Sequence, residues 1–405
     1  MIHRVLFLDP GHFHATLTLR IPHPSVDDEI VVYAPDSAER RDFLALVERF
    51  NARATAPTRW RPSVVTSDDP LARLIDERRG DVVVLAGKNG GKARVIRRLH
   101  DAGFHVLADK PWLVNPEDVD DIRASLGGGS VVTEIMTGRH DVAAQLVQRL
   151  VTTPDVFGAF RGETPALTME SVHHLAKTVD GVPLRRPWWF FDERVQGSGI
   201  VDIPTHLVDR AQWLTSGVPE LTSVRSWTTR VPLDTFRRIT REPAFPHELG
   251  AGEALDYRCN AELTFRAGAV VVAASARWEL ETPAGGGDSS LLVARGTRSD
   301  VRLEQSPRTG HRRRLIVDAC DDHARRALYR AIDALQDPWP GVRVEPSEPG
   351  SCDVVIPAGL DGGHEAQFAL VLDRFLRDVD AGHTPRDVAD RTLAKYALLA
   401  AAAAG

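Results

Sequence analysis

Short, unbroken apolar runs alternate with helical periodicity through the first third of the chain. Val5-Leu6-Phe7-Leu8 follows Arg4 and ends in Asp9-Pro10-Gly11. Glu29-Ile30-Val31-Val32-Tyr33 is a second run. Phe43, Leu44, Val47 and Phe50 then recur at helical spacing within 36–50. Val82 to Ala86, Phe104 to Ala108 and Ser130 to Thr133 are further runs, with a helix over 92–102 carrying Val95, Ile96 and Leu99 on one side. Apolar strands alternating with helices predict a parallel sheet covered on both faces.

The pattern changes after about residue 155. Tyr257, Cys259, Ala261, Leu263 and Phe265 alternate with polar residues, which predicts an antiparallel strand with one buried face. Ala267-Gly268 turns into a second run, 269–281. Further strands are expected near 155–163, 221–231, 289–296 and 312–318, a hairpin loop over 284–288, and helices over 321–336, 364–380 and 386–403. The chain therefore divides into an α/β domain over 1–137 and an α+β domain over 138–405 with an open, largely antiparallel sheet. The C-terminal helices are free to pack back on the first domain.

Composition narrows the functional classes. The 405 residues carry a net charge of -6 and are 43% hydrophobic, an ordinary globular balance. The acidity argues against a nucleic-acid or anionic-membrane binder, and Arg312-Arg313-Arg314 is expected to be an exposed strand end. No apolar run is long enough to span a bilayer. No secretory leader is evident, and the three cysteines have no metal or disulfide spacing, so a cytoplasmic location is expected. Only five of the 50 basic residues are Lys: Lys88, Lys92, Lys110, Lys177 and Lys395. Arg otherwise serves wherever a surface cation will do; Lys is a compact charge with a tunable pKa, so these five are candidates for places where Arg would not serve.

Ligands of parallel α/β sheets sit at the carboxyl ends of the strands. The first such turn is Asp9-Pro10-Gly11-His12-Phe13-His14. Of a G-x-G-x-x-G pattern it keeps only the middle glycine, Gly11, where backbone must approach a pyrophosphate. The second strand ends at Ala34, and the nearest candidate for a ribose-binding acid is Asp36. Arg40 and Arg41 follow and could meet a 2′-phosphate, which leaves NAD and NADP both open. Ala86-Gly87-Lys88-Asn89 is the third turn. The next strand ends in Asp109-Lys110-Pro111.

That acid-Lys-Pro ending resembles the E-K-P motif of the glucose-fructose oxidoreductase, inositol dehydrogenase and rhizopine-catabolism family, with Asp109 in place of Glu. Asn89 matches the family's Thr-Pro-Asn-like loop, and Lys88 replaces its proline. The Asp9–His14 turn looks like a distinct branch of that family. The resemblance implies a Rossmann-like nucleotide domain and a second domain carrying the substrate site on a largely antiparallel sheet. It also implies a homo-oligomer through that sheet. Asp9, Pro10, Gly11, His12, Phe13, His14, Ala34, Asp36, Gly87, Lys88, Asn89, Asp109 and Lys110 become the candidate cofactor residues.

Downstream, Gln196-Gly197-Ser198-Gly199 leads into Asp202-Ile203-Pro204-Thr205-His206. Asp202 and His206 are four apart, which predicts one shared helical face. This resembles the family's glycine loop followed by D-x-x-x-H, whose His transfers the proton. Lys110, Asp202 and His206 are thus the candidate catalytic residues. His173, His174, Lys177, Arg186, Trp188 and Trp189 suit a sugar, whose C–H faces stack on aromatics and whose hydroxyls need donors and acceptors. His364 is a further candidate for that site. No histidine group has a zinc spacing, and adjacent side chains such as His173 and His174 diverge in regular structure, so no metal site is expected.

The resulting expectation is an NAD- or NADP-dependent oxidoreductase acting on a hydroxyl or keto carbon of a sugar, polyol or glycoside. Two alternatives share the scaffold. One is a glycosidase that oxidises and re-reduces its substrate with a retained NAD. The other is a non-catalytic nucleotide or ligand sensor.

Overall fold

In the computed structural model, residues 1–405 are described apart from 163, 164, 180, 181, 284, 285 and 361, so part of the expected 284–288 loop lies outside the described residues. The apolar runs of the first third become β1 Val5–Leu8, β2 Glu29–Ala34, β3 Arg61–Thr66, β4 Val82–Leu85, β5 His105–Asp109 and β6 Val132–Ile135. They form one parallel sheet of order β3-β2-β1-β4-β5-β6. Every residue of β1 and β4 is buried, as a strand covered on both faces requires. The intervening helices are α1 His14–Leu17, α2 Ala38–Ala52, α3 Pro70–Glu77, α4 Lys92–Asp101 and α5 Asp118–Ser125. Ser37 caps α2 by accepting from the Arg40 N–H, and Asp69 caps α3. β3 escaped the hydrophobic pattern because it is an edge strand with four of its six residues exposed.

The chain forms two compact units. One comprises Met1–His140 with Gly362–Ala400; the other comprises Asp141–Asp361 with the last five residues. In the first, Phe368, Val371, Leu372, Phe375, Leu376 and Val379 join the same buried core as the strands of the parallel sheet. These residues form a stripe on helix 363–381, so that helix covers one face of the sheet.

The second unit begins with α6 Val142–Val151 and α7 Pro154–Phe157. A strand expected over 155–163 is absent among the described residues there. Pro154 instead opens a helical turn, Gly158 ends it, and only Phe160 bridges to Gly296. The strands that follow are β7 Leu167–Ala176, the two-residue pair β8 Thr178–Val179 and β9 Val182–Pro183, β10 Pro219–Pro232, β11 Ala254–Ala267, β12 Val270–Glu281, β13 Ser289–Arg295, β14 Ser299–Gln305, β15 Arg314–Ala319, β16 Arg343–Pro346 and β17 Ser351–Val355. Nine of them form a sheet of order β10-β11-β12-β7-β13-β14-β15-β17-β16. All neighbours are antiparallel except β12 and β7, which run parallel. The Rossmann-like parallel sheet and the mixed, mostly antiparallel sheet are the two sheet types anticipated by the change in periodicity.

Helices α8 Glu193–Gln196, α9 Pro204–Thr215, α10 Leu233–Thr240 and α11 Asp322–Asp333 decorate this sheet, and α12 Gly363–Ala381 and α13 Arg386–Ala404 close the chain. Phe191, Phe236, Tyr257, Cys259 and Trp278 lie in one buried apolar cluster that includes residues of β7, β11 and β12.

Candidate functional site

In the order β3-β2-β1-β4-β5-β6 the connections reverse direction between β1 and β4. That crevice is where open α/β sheets take ligands. Three turns meet it at the carboxyl ends of β1, β4 and β5. The turn after β1 is drawn tightly onto the turn after β4. The Gly11 and His12 N–H groups both donate to the Ala86 carbonyl at 3.1 Å. A Cβ on Gly87 would stand 2.6 Å from the Asp9 carbonyl oxygen, so no other residue fits there without moving backbone. Asp9 holds φ at +41°, a conformation that favours glycine, where the usual fingerprint has its first glycine.

At this turn the backbone amides point inward. The two N–H groups nearest Gly11 face Ala86 rather than outward, and α1 is a single turn of four residues. The crevice fits a dinucleotide in its strand order and in the absence of side chains at Gly11 and Gly87.

The turn after β5 is the best-supported part. Lys110-Pro111 is a cis peptide. The Lys110 N–H donates to Asp109 Oδ1 at 3.0 Å. Beneath it, the buried Lys92 ammonium donates to Asn89 Oδ1 at 2.6 Å and to the Asp109 carbonyl at 2.9 Å, tying the β4 turn to the β5 turn. Lys92 was legible only as one of the rare lysines. The Trp112 N–H donates to the Tyr396 hydroxyl at 2.9 Å, and the two rings stack. Tyr396 and Lys395 in turn both bond the buried Glu134.

Asp109, His12 and His14 converge although 95 residues separate Asp109 from His14. His14 Nδ1 lies 3.0 and 3.1 Å from the two Asp109 carboxylate oxygens, and His12 Nδ1 lies 3.2 Å from Oδ2. Burial pulls His14 down to about 4, so it is neutral at neutral pH. Burial works to raise Asp109, but the two imidazoles hold it well below the usual carboxylate range. Phe13 between them is exposed. Asp36, beyond Ala34, accepts from Arg40 at 2.6 Å and Arg41 at 2.8 Å on an exposed surface. Lys88 is exposed, and its charge opposes the rise that burial imposes on Asp9.

The second unit gathers a different set. His174 Nδ1 lies 3.1 Å from Asp288 Oδ1, His173 Nδ1 3.3 Å from Oδ2, and the Lys177 ammonium donates to Oδ2 at 2.5 Å. The two histidines were expected to diverge as strand neighbours. Instead both rings reach Asp288, which Lys177 and His173 keep well below its usual pKa against its burial. Arg186 donates to the Leu175 and His174 carbonyls at 3.0 and 3.1 Å, and its guanidinium sits over Phe190 and Trp278. Burial lowers its pKa, while the charges of Tyr257, Asp202 and Asp288 counter that effect. Asp202 is buried within electrostatic reach of Arg186, Tyr257 and Cys259. Asp288 and Tyr257 had no sequence signal, since neither stands in a motif with its neighbours.

Three expectations change here. Asp202 is not on a helix with His206: α9 begins at Pro204, and Asp202 lies in the turn before it. That turn is set by Gly199, where a Cβ would stand 2.2 Å from the Cys259 carbonyl carbon. Trp189 is a core residue at 4% exposure, while Trp188 is only partly buried, against the apolar cluster of Phe191, Tyr257 and Trp278. His364 belongs to the first unit, where its Nε2 lies 3.3 Å from Thr137 Oγ1 and its ring packs on Phe368.

Comparison with known proteins agrees with this architecture. Residues 146–404 match the family described as "Putative oxidoreductase C terminal domain", and the chain belongs to that family. A protein from Parabacteroides merdae, described as a "putative oxidoreductase", is similar at 32% identity over 99% of this chain and 96% of its own, with a TM-score of 0.94. A levoglucosan dehydrogenase solved with NADH and levoglucosan shares the fold at 18% identity, covering 100% of this chain and 98% of its own with a TM-score of 0.63. A 3-ketoreductase from Actinomadura kijaniata, solved with NADP, shares it at 15% identity over 98% and 96% of the chains, with a TM-score of 0.60. No curated protein matches the sequence. Among the described residues no helix is long and apolar enough to cross a membrane.

Proposed function

We propose that this chain is a nicotinamide-dependent oxidoreductase of the glucose-fructose oxidoreductase type, in the branch marked by its Asp-Pro-Gly-His-Phe-His turn. It acts at a hydroxyl or keto carbon of a sugar, polyol or glycoside. The observation that carries this reading is Asp109-Lys110-Pro111, standing at the carboxyl end of β5 beside the β1/β4 crevice and braced from below by Lys92 and Tyr396. The sugar dehydrogenase and ketoreductase that share the fold, solved with NADH and NADP, support both cofactor and substrate class.

In this reading residues 1–137 bind the nucleotide and the substrate residues lie within 138–405. NAD is the cofactor of first choice, with NADP accommodated by Arg40 and Arg41. Bound nicotinamide supplies the hydride chemistry. Lys110 donates to the reacting oxygen and stabilises its developing charge. His206 removes the hydroxyl proton in oxidation and returns it in reduction, the role of a general base and acid. Asp202 positions substrate. The His173, His174, Lys177, Asp288 and Arg186 set offers donors and an acceptor beside the Trp278 ring, the chemistry a polyhydroxylated ligand needs.

The test is a screen of sugars, polyols and glycosides for a change in reduced-nicotinamide absorbance, with Lys110→Ala and Lys110→Arg measured beside wild type. Both variants should lose about 10²–10³ in turnover, because a broad guanidinium cannot replace a compact ammonium beside a reacting oxygen. Turnover by Lys110→Arg near that of wild type would remove Lys110 from the chemistry.

A further inference from the structure

We propose that His12, His14 and Asp109 hold one divalent transition-metal ion at the junction of the β1 and β5 turns. The donor set is two imidazole nitrogens and one carboxylate, and their ligand atoms all lie within 4.8 Å of one another. Two histidines with one carboxylate is the composition that binds first-row divalent metals while leaving positions open.

The separations fit an ion. Around a metal with bonds of about 2.1 Å, neighbouring ligand atoms stand about 3.0 Å apart in an octahedron and about 3.4 Å in a tetrahedron. His14 Nδ1 is 3.0 Å from Asp109 Oδ2, and His12 Nδ1 is 3.2 Å from the same oxygen. Each nitrogen therefore stands from that oxygen at the separation of two ligands on one ion, and the third pair stays within 4.8 Å. Hydrogen bonding alone accounts for the arrangement less well. Two ring nitrogens crowd one carboxylate oxygen, and the buried His12 Nδ1 finds no aligned hydrogen bond.

The surroundings support a built site. The Lys110 N–H donates to Asp109 Oδ1, which orients the carboxylate and leaves Oδ2 toward the histidines. His14 packs on Phe368 at a centroid distance of 4.6 Å, an apolar wall that limits its ring to few orientations. Asp109 is 5% exposed and His12 37% exposed, so the set is closed behind the carboxylate and open to solvent on the His12 side. The spacing of His12 and His14 along the chain hides this site, because its third ligand arrives from another strand. Metal binding here does not depend on the nicotinamide reading.

The test uses the full chain stripped with a chelator, dialysed, and titrated with Zn²⁺ or with Co²⁺ as a spectroscopic probe, without nucleotide or substrate. Wild type should take up one equivalent of either ion, with Co²⁺ developing visible absorption. His14→Ala and Asp109→Asn should each weaken uptake by more than the roughly 100-fold seen when outer-shell partners of a metal are removed. His173→Ala, in the other unit, should leave uptake unchanged. Circular dichroism checks each fold, and His12→Gln, at the exposed edge, replaces any variant that fails to fold. No stoichiometric uptake by wild type, or uptake unaffected by variants at His12, His14 and Asp109, would overturn the proposal and leave the cluster a hydrogen-bonded clasp.

Discussion

Replacing Lys395 by Met tests how the last helix supports the Lys110 turn. Lys395 is 1% exposed and Glu134, its partner on β6, is 6% exposed. The Tyr396 hydroxyl also donates to Glu134 and accepts from the Trp112 N–H. Met fills nearly the volume of the Lys stem, so little cavity forms. What is lost is the ammonium, leaving a buried carboxylate short of its counter-charge. Breaking a buried pair in this way costs about 3–5 kcal/mol. A domain of this size is stable by only about 5–15 kcal/mol in total. With about 2–4 °C of melting temperature per kcal/mol, Lys395→Met should melt roughly 10 °C below wild type. Lys395→Met combined with Glu134→Gln removes both charges and should recover most of the loss, because no unpaired ion then remains. Thermal and urea unfolding of the three variants and wild type measure the cycle. A single variant within about 1 kcal/mol of wild type, or a double variant no more stable than the single, would refute the argument.

Other outcomes follow from the same geometry. Gly199→Ala places a Cβ against the Cys259 and Asn260 backbone and should cost about 3 kcal/mol or more in urea unfolding; a loss below 1 kcal/mol would mean that the loop relaxes freely. His206→Ala should lower turnover by about 10²–10⁴ with nucleotide affinity little changed, whereas parallel losses of both would assign His206 a structural role. His14 has a folded pKa of about 4 against an ordinary value near 6.5, so the unfolded chain binds the proton first. Stability in chelator should therefore fall by up to about 3 kcal/mol as pH drops from 6.5 to 4. The urea midpoint should follow this in wild type and stay flatter in His14→Gln; matching curves would show that His14 is not the group responsible.

The parallel sheet was legible because strands buried on both faces must be apolar throughout, and Val82-Val83-Val84-Leu85 admits no other reading once helices flank it. β11 was legible for the complementary reason, an apolar/polar alternation with one face buried, interrupted at Asn260, which is buried as well. β7 was missed as a strand. Its Glu170, Ser171 and His173 interrupt the apolar pattern, and its place in the sheet is set by its parallel pairing with β12 over a hundred residues on. Local sequence likewise put Lys110 in a stiff turn at a strand end, because the acid-Lys-Pro triplet is contiguous.

Tertiary structure decided what contiguity could not. That the Gly11 and His12 amides spend themselves on Ala86 depends on how closely β1 and β4 turns approach, which only packing of the whole sheet sets. The convergence of Asp109 on two histidines, of Asp288 on His173, His174 and Lys177, and of Glu134 on Lys395 joins groups that lie far apart along the chain. Local patterning reports burial, because burial is a property of each residue's own side chain. It is silent on which buried polar groups meet, because that follows from strand order and from helices that return from the end of the chain.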